Sequence, residues 1–323
     1  MQKTVYCYNS NGDFIEKYES ARSLDRKYNL FPDSFRKHID TGKIYRGFVW
    51  SYKSEGINID DIVEEKAKIL IFDIETAPRI GYFWQVWKQN VMPHMLKDDW
   101  HVLTWSAKWL QDIKIISDKA TAEEAKNKDD KRIVESLWKL FDEADIVIAH
   151  NAKKFDVPRM NSRFLFHGMN PPSPYRMIDT LIVAKKKFDE TYNSLNELAK
   201  KLGLNPKIST NMELWIRCIM GEHKAIDEMS TYNDRDVDIL EDVYLNLRPW
   251  IDSHPNVALY YSDEQERCHR CGSTDIQWVE GKYYYTPVNV YPIYKCKCGG
   301  FGRGKKSILN KEKKKNLTSP IAR

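Results

Sequence analysis

The stretch at residues 69–78, ILIFDIETAP, sets four apolar residues before carboxylates at Asp73 and Glu75. A short apolar run rich in β-branched residues reads as a buried strand. Residues i and i+2 of a strand share a face, so Asp73 and Glu75 point the same way. Two like charges at the end of an apolar strand repel each other and resist desolvation. Something must compensate, and a divalent cation held by oxygen ligands is the simplest candidate.

Further carboxylates fit the same pattern. Asp156 lies in HNAKKFD, just beyond the apolar run DIVIA, and TYNDRDVDIL carries Tyr232 and Asp236 at i and i+4, on one helix face. Four carboxylates in one dry site cannot all ionise unless cations neutralise them. Two Mg²⁺ or Mn²⁺ ions about 3.5–4 Å apart would do so, and such pairs suit phosphoryl transfer. Neighbouring polar residues read as structural. Asp234 and Asp238 are expected to be exposed helix charges, Asp179 to cap the segment after it, and His150 to pack at a strand end.

From Lys68 to about Pro255 strand and helix patterns alternate. KILIFDIE, HVLTWSAKWL, KIISD and DIVIAHN read as strands. KRIVESLWKLFDEA, VPRMNSRFLFHG, SLNELAKKLGL, NMELWIRCIM and a long segment through TYNDRDVDIL read as helices. Such mixing predicts an α/β layer.

The three carboxylate segments resemble the three motifs of DEDD-superfamily 3′-5′ exonucleases, which have the RNase H-like fold. Asp73-Ile74-Glu75-Thr76 resembles the first motif. Asn151, Phe155 and Asp156, spaced N-x-x-x-F-D, resemble the second as it stands in family-B DNA polymerase proofreading domains. Tyr232 and Asp236, Y-x-x-x-D, resemble the third in its tyrosine subtype. The resemblance implies an RNase H-like mixed sheet flanked by helices over residues 68–255. It implies that Asp73, Glu75, Asp156 and Asp236 bind two Mg²⁺ or Mn²⁺ ions. Tyr232 would position the attacking water, since a phenol is a poor base near neutral pH. Thr76, Asn151 and Phe155 would lie near the terminal nucleotide. The segment from Tyr82 to Leu110 holds five of the ten tryptophans and reads as an insert relative to proofreading domains. Trp84, Trp87, Trp100, Trp105 and Trp109 are expected to pack in the core or within that insert. No polymerase-like segment follows, so the expected protein is a stand-alone nuclease, similar to predicted exonucleases of phages and bacteria.

Six cysteines fall into two kinds. Cys7 and Cys218 are isolated and read as free buried thiols. Cys268 and Cys271 form a CxxC cluster, Cys296 and Cys298 a CxC cluster, each followed by glycine. That spacing suits one tetrahedral structural Zn²⁺, and the segment at residues 256–302 resembles a zinc ribbon. His269, between two ligands, is expected to be exposed. The ribbon's tyrosines at 283, 284, 285, 291 and 294 lie among lysines, a pattern that fits base stacking and ordinary strand packing equally.

Residues 1–53 read as hairpin, helix, helix and strand. The hairpin turns at Asn11-Gly12, one helix begins at Ser20-Ala21, and a second runs from Pro32-Asp33-Ser34 to Gly42. This unit resembles the nuclease-associated modular helix-turn-helix repeat of homing endonucleases, with Gly47 and Trp50 at its end. It departs where Leu24, Arg26 and Tyr28 stand in place of small alanines. The resemblance implies that the second helix meets DNA, with Ser34, Arg36 and Lys37 best placed. Residues 54–67 are polar and acidic and read as a linker.

Net charge is +5, with basic residues crowding the tail at 303–323 against the single acid Glu312. Such a tail can meet phosphates through charge alone. Mean hydropathy is −0.62, and no apolar run nears the roughly 18 residues of a membrane helix. The N-terminus has no apolar signal core. The expectation is therefore a cytoplasmic nuclease, of the kind a phage encodes, with a nucleic-acid partner, DNA in the first place, and no membrane association. An RNA exonuclease, a structure-selective endonuclease and a non-catalytic DNA-binding scaffold are the rival expectations.

Overall fold

A computed structural model of the chain describes residues 3–9, 12–27, 35–42, 44–45, 48–56, 66–88, 90–204 and 210–318. The expectations resting on Asn11, Tyr28, Pro32, Asp33, Ser34, Gly47, most of the linker, the Lys37 side chain and Arg323 lie outside the described residues. Two compact units are present, one of residues 1–67 with 254–323 and one of residues 68–253.

In the N-terminal module, β1 (Val5–Tyr8), β2 (Phe14–Tyr18), β3 (Ile44–Tyr45) and β4 (Phe48–Ser51) form an antiparallel sheet in the order β2-β1-β4-β3. Helix α1 (Ala21–Lys27) begins where the Ser20 hydroxyl accepts from the Ser23 amide, an N-terminal cap. Leu24, Phe35 and Trp50 are fully buried, and Phe35 meets Trp50 edge-on at 4.7 Å. Among the described residues the expected second helix is a single 3₁₀ turn, Arg36–His38. It stops because Ile39 is extended and bridges Trp50, while Asp40 turns to φ 59. The Asp40 carboxylate then accepts from the Ser51 hydroxyl at 2.5 Å and the Tyr52 amide at 2.9 Å. These residues close the sheet instead of lengthening a helix. Arg36 stands exposed on that turn.

The second unit holds the mixed α/β layer expected from the sequence. Its strands are β5 (Ile69–Thr76), β6 (Ile80–Gly81), β7 (Leu96–Asp98), β8 (Val102–Trp109), β9 (Ile116–Lys119), β10 (Ile146–Ala149) and β11 (Arg176–Asp179). Five of them build one sheet in the order β11-β10-β5-β8-β9. β5, β10 and β11 run parallel, and β8 and β9 antiparallel to their neighbours. β5 is central and β10 is buried throughout, as strands covered on both faces are. The helices are α2 (Ala122–Asn127), α3 (Lys131–Glu143), α4 (Asp156–Phe166), α5 (Thr180–Lys187), α6 (Leu195–Lys201), α7 (Met212–Ile219) and α8 (His223–Leu247).

Alternation along β5 and β8 sorts the side chains between two helix layers. Phe72 meets Phe141 of α3 at 4.8 Å, and Trp105 donates from Nε1 to the Ile133 carbonyl. Asp73 pairs with Ser106 and Glu75 with Thr104, and this face meets α8. The Thr104 hydroxyl bonds Asn233, Ser106 bonds Asp234 at 2.6 Å, and Lys108 bridges Asp238 and Glu241 at 3.1 and 2.7 Å. Asp234 and Asp238 are therefore half-buried seam residues and not exposed charges. Burial opposes the Lys108 charge, but hydrogen bonds to Glu241 and Asp238 outweigh it and raise its pKa. Ser106→Ala removes a part-buried hydrogen bond to a charged acceptor. It is expected to lower stability by about 1.5–3 kcal/mol, read as a lower urea midpoint with an unchanged slope.

The tryptophan-rich segment also differs from expectation. Its second half is β8, paired with β5 at the centre of the sheet, and not an insert. Trp105 is buried, but Trp84 and Trp87 are 94% and 83% exposed. They lie on the excursion between β6 and β7, beyond the reach of the sheet's core. Cys7 and Cys218 are buried free thiols, each pushed up to about 12 by burial.

In the C-terminal module β12 (Ile276–Thr286), β13 (Asn289–Cys296) and β14 (Phe301–Arg303) form a three-stranded antiparallel sheet, followed by α9 (Lys311–Lys315). Among the described residues no helix is long and apolar enough to cross a membrane.

Candidate active site

The C-terminal end of β5 supplies Asp73 and Glu75, and α8 passes over that face. Its inward stripe runs through Ile226, Met229, Asn233, Asp236, Leu240 and Leu247. Two polar residues in an apolar stripe mark where helix and sheet meet over the site. Asp73, Glu75 and Asp236 each offer a carboxylate oxygen, all within 4.8 Å of one another. Asn233 donates to Asp73 Oδ2 at 2.7 Å and fixes that side chain.

These three, with Asp156, Asn151 and Phe155, line a hollow of about 660 Å³. Asp156 lies outside the tight triad. It opens α4 and is 2% exposed, and among the described residues its Oδ2 has no hydrogen-bond partner. Burial raises its pKa to about 7; the Asp179 charge adds to the rise and Arg159 opposes it. A buried carboxylate oxygen without a partner beside three clustered carboxylates is an acceptor set in need of cations. The chemistry of the donors fits hard divalent ions.

Asp179 does cap α5, accepting from the Leu181 and Ile182 amides, and it also takes the Asn151 and Lys153 amides. That draws Asn151 into the left-handed region at φ 74, which asparagine tolerates better than most residues. His150 packs at the strand end, with Nδ1 at 2.9 Å from the Thr180 hydroxyl and Nε2 at 3.0 Å from the Asn193 carbonyl. A neutral ring protonated on Nε2 satisfies both.

Tyr232 does not line this hollow. One turn before Asp236, its ring meets Trp215 of α7 edge-on at 6.4 Å. Trp215 belongs to a second hollow of about 550 Å³, which shares Glu75 and Phe155 with the first. Thr76 lies there, its hydroxyl accepting from Arg159. The Arg159 guanidinium sits 3.9 Å from the Phe155 ring centroid and 4.8 Å from that of Trp100. The sequence reading missed Arg159, Asn233 and the exposed Lys185 of the first hollow. Arg159 was legible as a cation one turn beyond Asp156, and Asn233 as a polar residue in an apolar stripe.

The four clustered cysteines converge as well. Their sulfurs lie within 4.8 Å of one another, with Cys268 to Cys298 at 3.8 Å and Cys271 to Cys296 at 3.5 Å. Tetrahedral thiolates around zinc stand about 3.8 Å apart, given metal–sulfur bonds of about 2.3 Å. Hydrogen bonds with Cys271 and Cys298 hold the Cys268 thiol far below its usual pKa, while hydrogen bonds with Cys268 and Cys298 push Cys271 far up. All six cysteines are free. Gly272 and Gly299 take φ of 74° and 83°, letting the backbone double back around the sulfurs. His269 is half-buried and not exposed, because its ring and amide both bond the Tyr294 hydroxyl.

Residues 103–248 match RNase_H_2, a model of the RNase_H superfamily, and residues 3–29 match the NUMOD1 domain. The chain thus carries an RNase H superfamily domain behind a NUMOD1 domain, the make-up of a nuclease-type protein. Among solved structures, the family B DNA polymerase of the hyperthermophilic archaeon Pyrobaculum calidifontis is similar over 64% of this chain, at 16% identity and a TM-score of 0.43. The chain spans 28% of that polymerase. No curated protein matches.

Proposed function

We propose that the chain is a metal-dependent 3′-5′ exonuclease acting on DNA. The observation that carries this reading is the cluster of Asp73, Glu75 and Asp236 oxygens within 4.8 Å, with buried Asp156 on the same hollow. These four carboxylates would hold two Mg²⁺ or Mn²⁺ ions. Bound there, the ions would supply an activated water and offset charge on the attacking and leaving oxygens.

The chain's own residues do the positioning. Asn233 keeps the Asp73 carboxylate oriented. Asn151 and Phe155 border the hollow where a strand terminus would sit, and Lys185 offers a charge to its phosphates. Thr76 and Arg159 form the wall of the adjoining hollow, which suits the next nucleotide: a guanidinium for phosphate, with Phe155, Trp100 and Trp215 for bases. Tyr232, one turn before Asp236, would orient the water once substrate draws its side chain inward. Arg36 and Lys37, in the segment that follows the NUMOD1 match, would meet backbone phosphates of DNA.

Single-stranded DNA labelled at its 5′ end tests the reading. With Mg²⁺ or Mn²⁺ a ladder should shorten from the unlabelled end. Immediate release of the labelled nucleotide would reverse the polarity, and a few internal cuts would make the protein an endonuclease. Cleavage of RNA alone would change the substrate, and binding without product under any divalent ion would leave a scaffold.

The four cysteines are assigned to one structural Zn²⁺. Elemental analysis should return about one zinc per chain. Cys296→Ser should lose that zinc and open the module to trypsin at Lys282, Lys295 and Lys297, because a sheet this small cannot bury its own core.

A further inference from the structure

The sheet of the cysteine module has two unlike faces. Strand register places Tyr284 opposite Tyr291, Ile293 opposite Arg303, and Lys295 between Gln277 and Phe301. All of these share one face. The other carries Trp278, Tyr294 and Cys296, and Tyr294 and Cys296 pack with the remaining cysteines. The first face is uncovered: Tyr284 is 50% and Phe301 52% exposed, and Lys295 and Arg303 are exposed.

Charge and aromatic surface interleave there. The Arg303 guanidinium lies 4.1 Å from the Tyr291 ring centroid and 5.3 Å from that of Tyr284. No paired position on this face is a carboxylate. Beyond Arg303 the chain follows β13, with the Gly304 and Ile308 amides donating to the Pro292 and Val290 carbonyls. That carries Lys305 and Lys306 along the sheet edge, ahead of the lysines of α9. From Lys295 to Asn289 the platform is roughly 20 Å long, at about 3.4 Å per residue.

We propose that this face binds single-stranded nucleic acid. Unpaired bases would stack on Tyr284, Tyr291 and Phe301, and Lys295, Arg303 and the edge lysines would meet the phosphates. Exposed rings select a single strand over a duplex, because only unpaired bases present open π-faces. The face is basic along its paired positions, with Asp275 only at its margin beside Lys295, and that selects a polyanion over an apolar protein surface. The assignment stands apart from the nuclease reading, since it rests on another unit of the chain.

The test uses the full chain carrying Asp73→Ala, so that the probe survives, in Ca²⁺ without chelator. A labelled oligothymidine reports affinity by anisotropy, and a bromouracil version is photocrosslinked and mapped by mass spectrometry. Crosslinks are expected on the peptides holding Tyr284, Tyr291 or Phe301. Adding Tyr284→Ala and Tyr291→Ala should erase those crosslinks and weaken binding about tenfold or more, as stacking is worth about 1–3 kcal/mol per base. Tyr285→Ala, on the opposite face, should change neither, and unchanged zinc content shows that the module stays folded. Crosslinks confined to other segments with affinity unchanged would overturn the proposal. So would duplex DNA competing as well as the single strand.

Discussion

Asp73→Ala is expected to leave a folded protein whose hydrolysis of end-labelled DNA falls by about 10³-fold or more. Ions at such a site supply several kcal/mol of charge stabilisation in the transition state, and each 1.36 kcal/mol is tenfold in rate. Asp73 belongs to the triad within 4.8 Å, so its loss removes one of the clustered oxygens from the site. The fold should tolerate the change. Asp73 is only half-buried, and Asn233, its donor, also bonds Thr104. One of three crowded like charges disappears, which relieves repulsion. Circular dichroism should match the parent, with the thermal midpoint lowered only modestly by the lost Asn233 hydrogen bond. A variant that cuts at the parental rate would remove the carboxylate assignment. A variant that fails to fold would show that Asp73 serves the seam to α8 more than chemistry.

Short apolar runs made β5, β8 and β10 legible, because runs of this length have few other uses. The carboxylates were legible because acids ending buried strands are costly without a purpose. What the sequence hid was set by register. Lys108 looks like a surface residue within HVLTWSAKWL, and only the pairing of β5 with β8 turns it toward Asp238 and Glu241. The same pairing makes Asp234 a partner of Ser106. Trp84 and Trp87 misled in the other direction, since their apolarity argued for burial while their excursion lies beyond any core. The second N-terminal helix was misread because Asp40 looks like a helix residue until Ser51 and Tyr52 claim its carboxylate.

Asp156→Asn is expected to inactivate the protein and at the same time to stabilise its metal-free form above pH 7. The native carboxyl is raised from 3.8 to about 7, chiefly by burial, with the Asp179 charge adding. A raised pKa means that folding binds a proton between those values. Its contribution is fully present below pH 3.8 and is lost as pH rises through 7. At 1.36 kcal/mol per pH unit the loss approaches ~4 kcal/mol. Asparagine carries no charge, so it escapes that slope and can still accept the amide bonds of Asp156 and Ile74. Urea unfolding of parent and variant, both freed of divalent ions, should give similar stabilities near pH 4 and diverge up to pH 8, the variant ahead. Mg²⁺ should then stabilise the parent more than the variant at pH 8, because ligands bound only by the folded state raise its stability. Parallel pH profiles would mean that Asp156 is already ionised and solvated in the hollow. Equal gains from Mg²⁺ would mean that Asp73, Glu75 and Asp236 hold the ions without it.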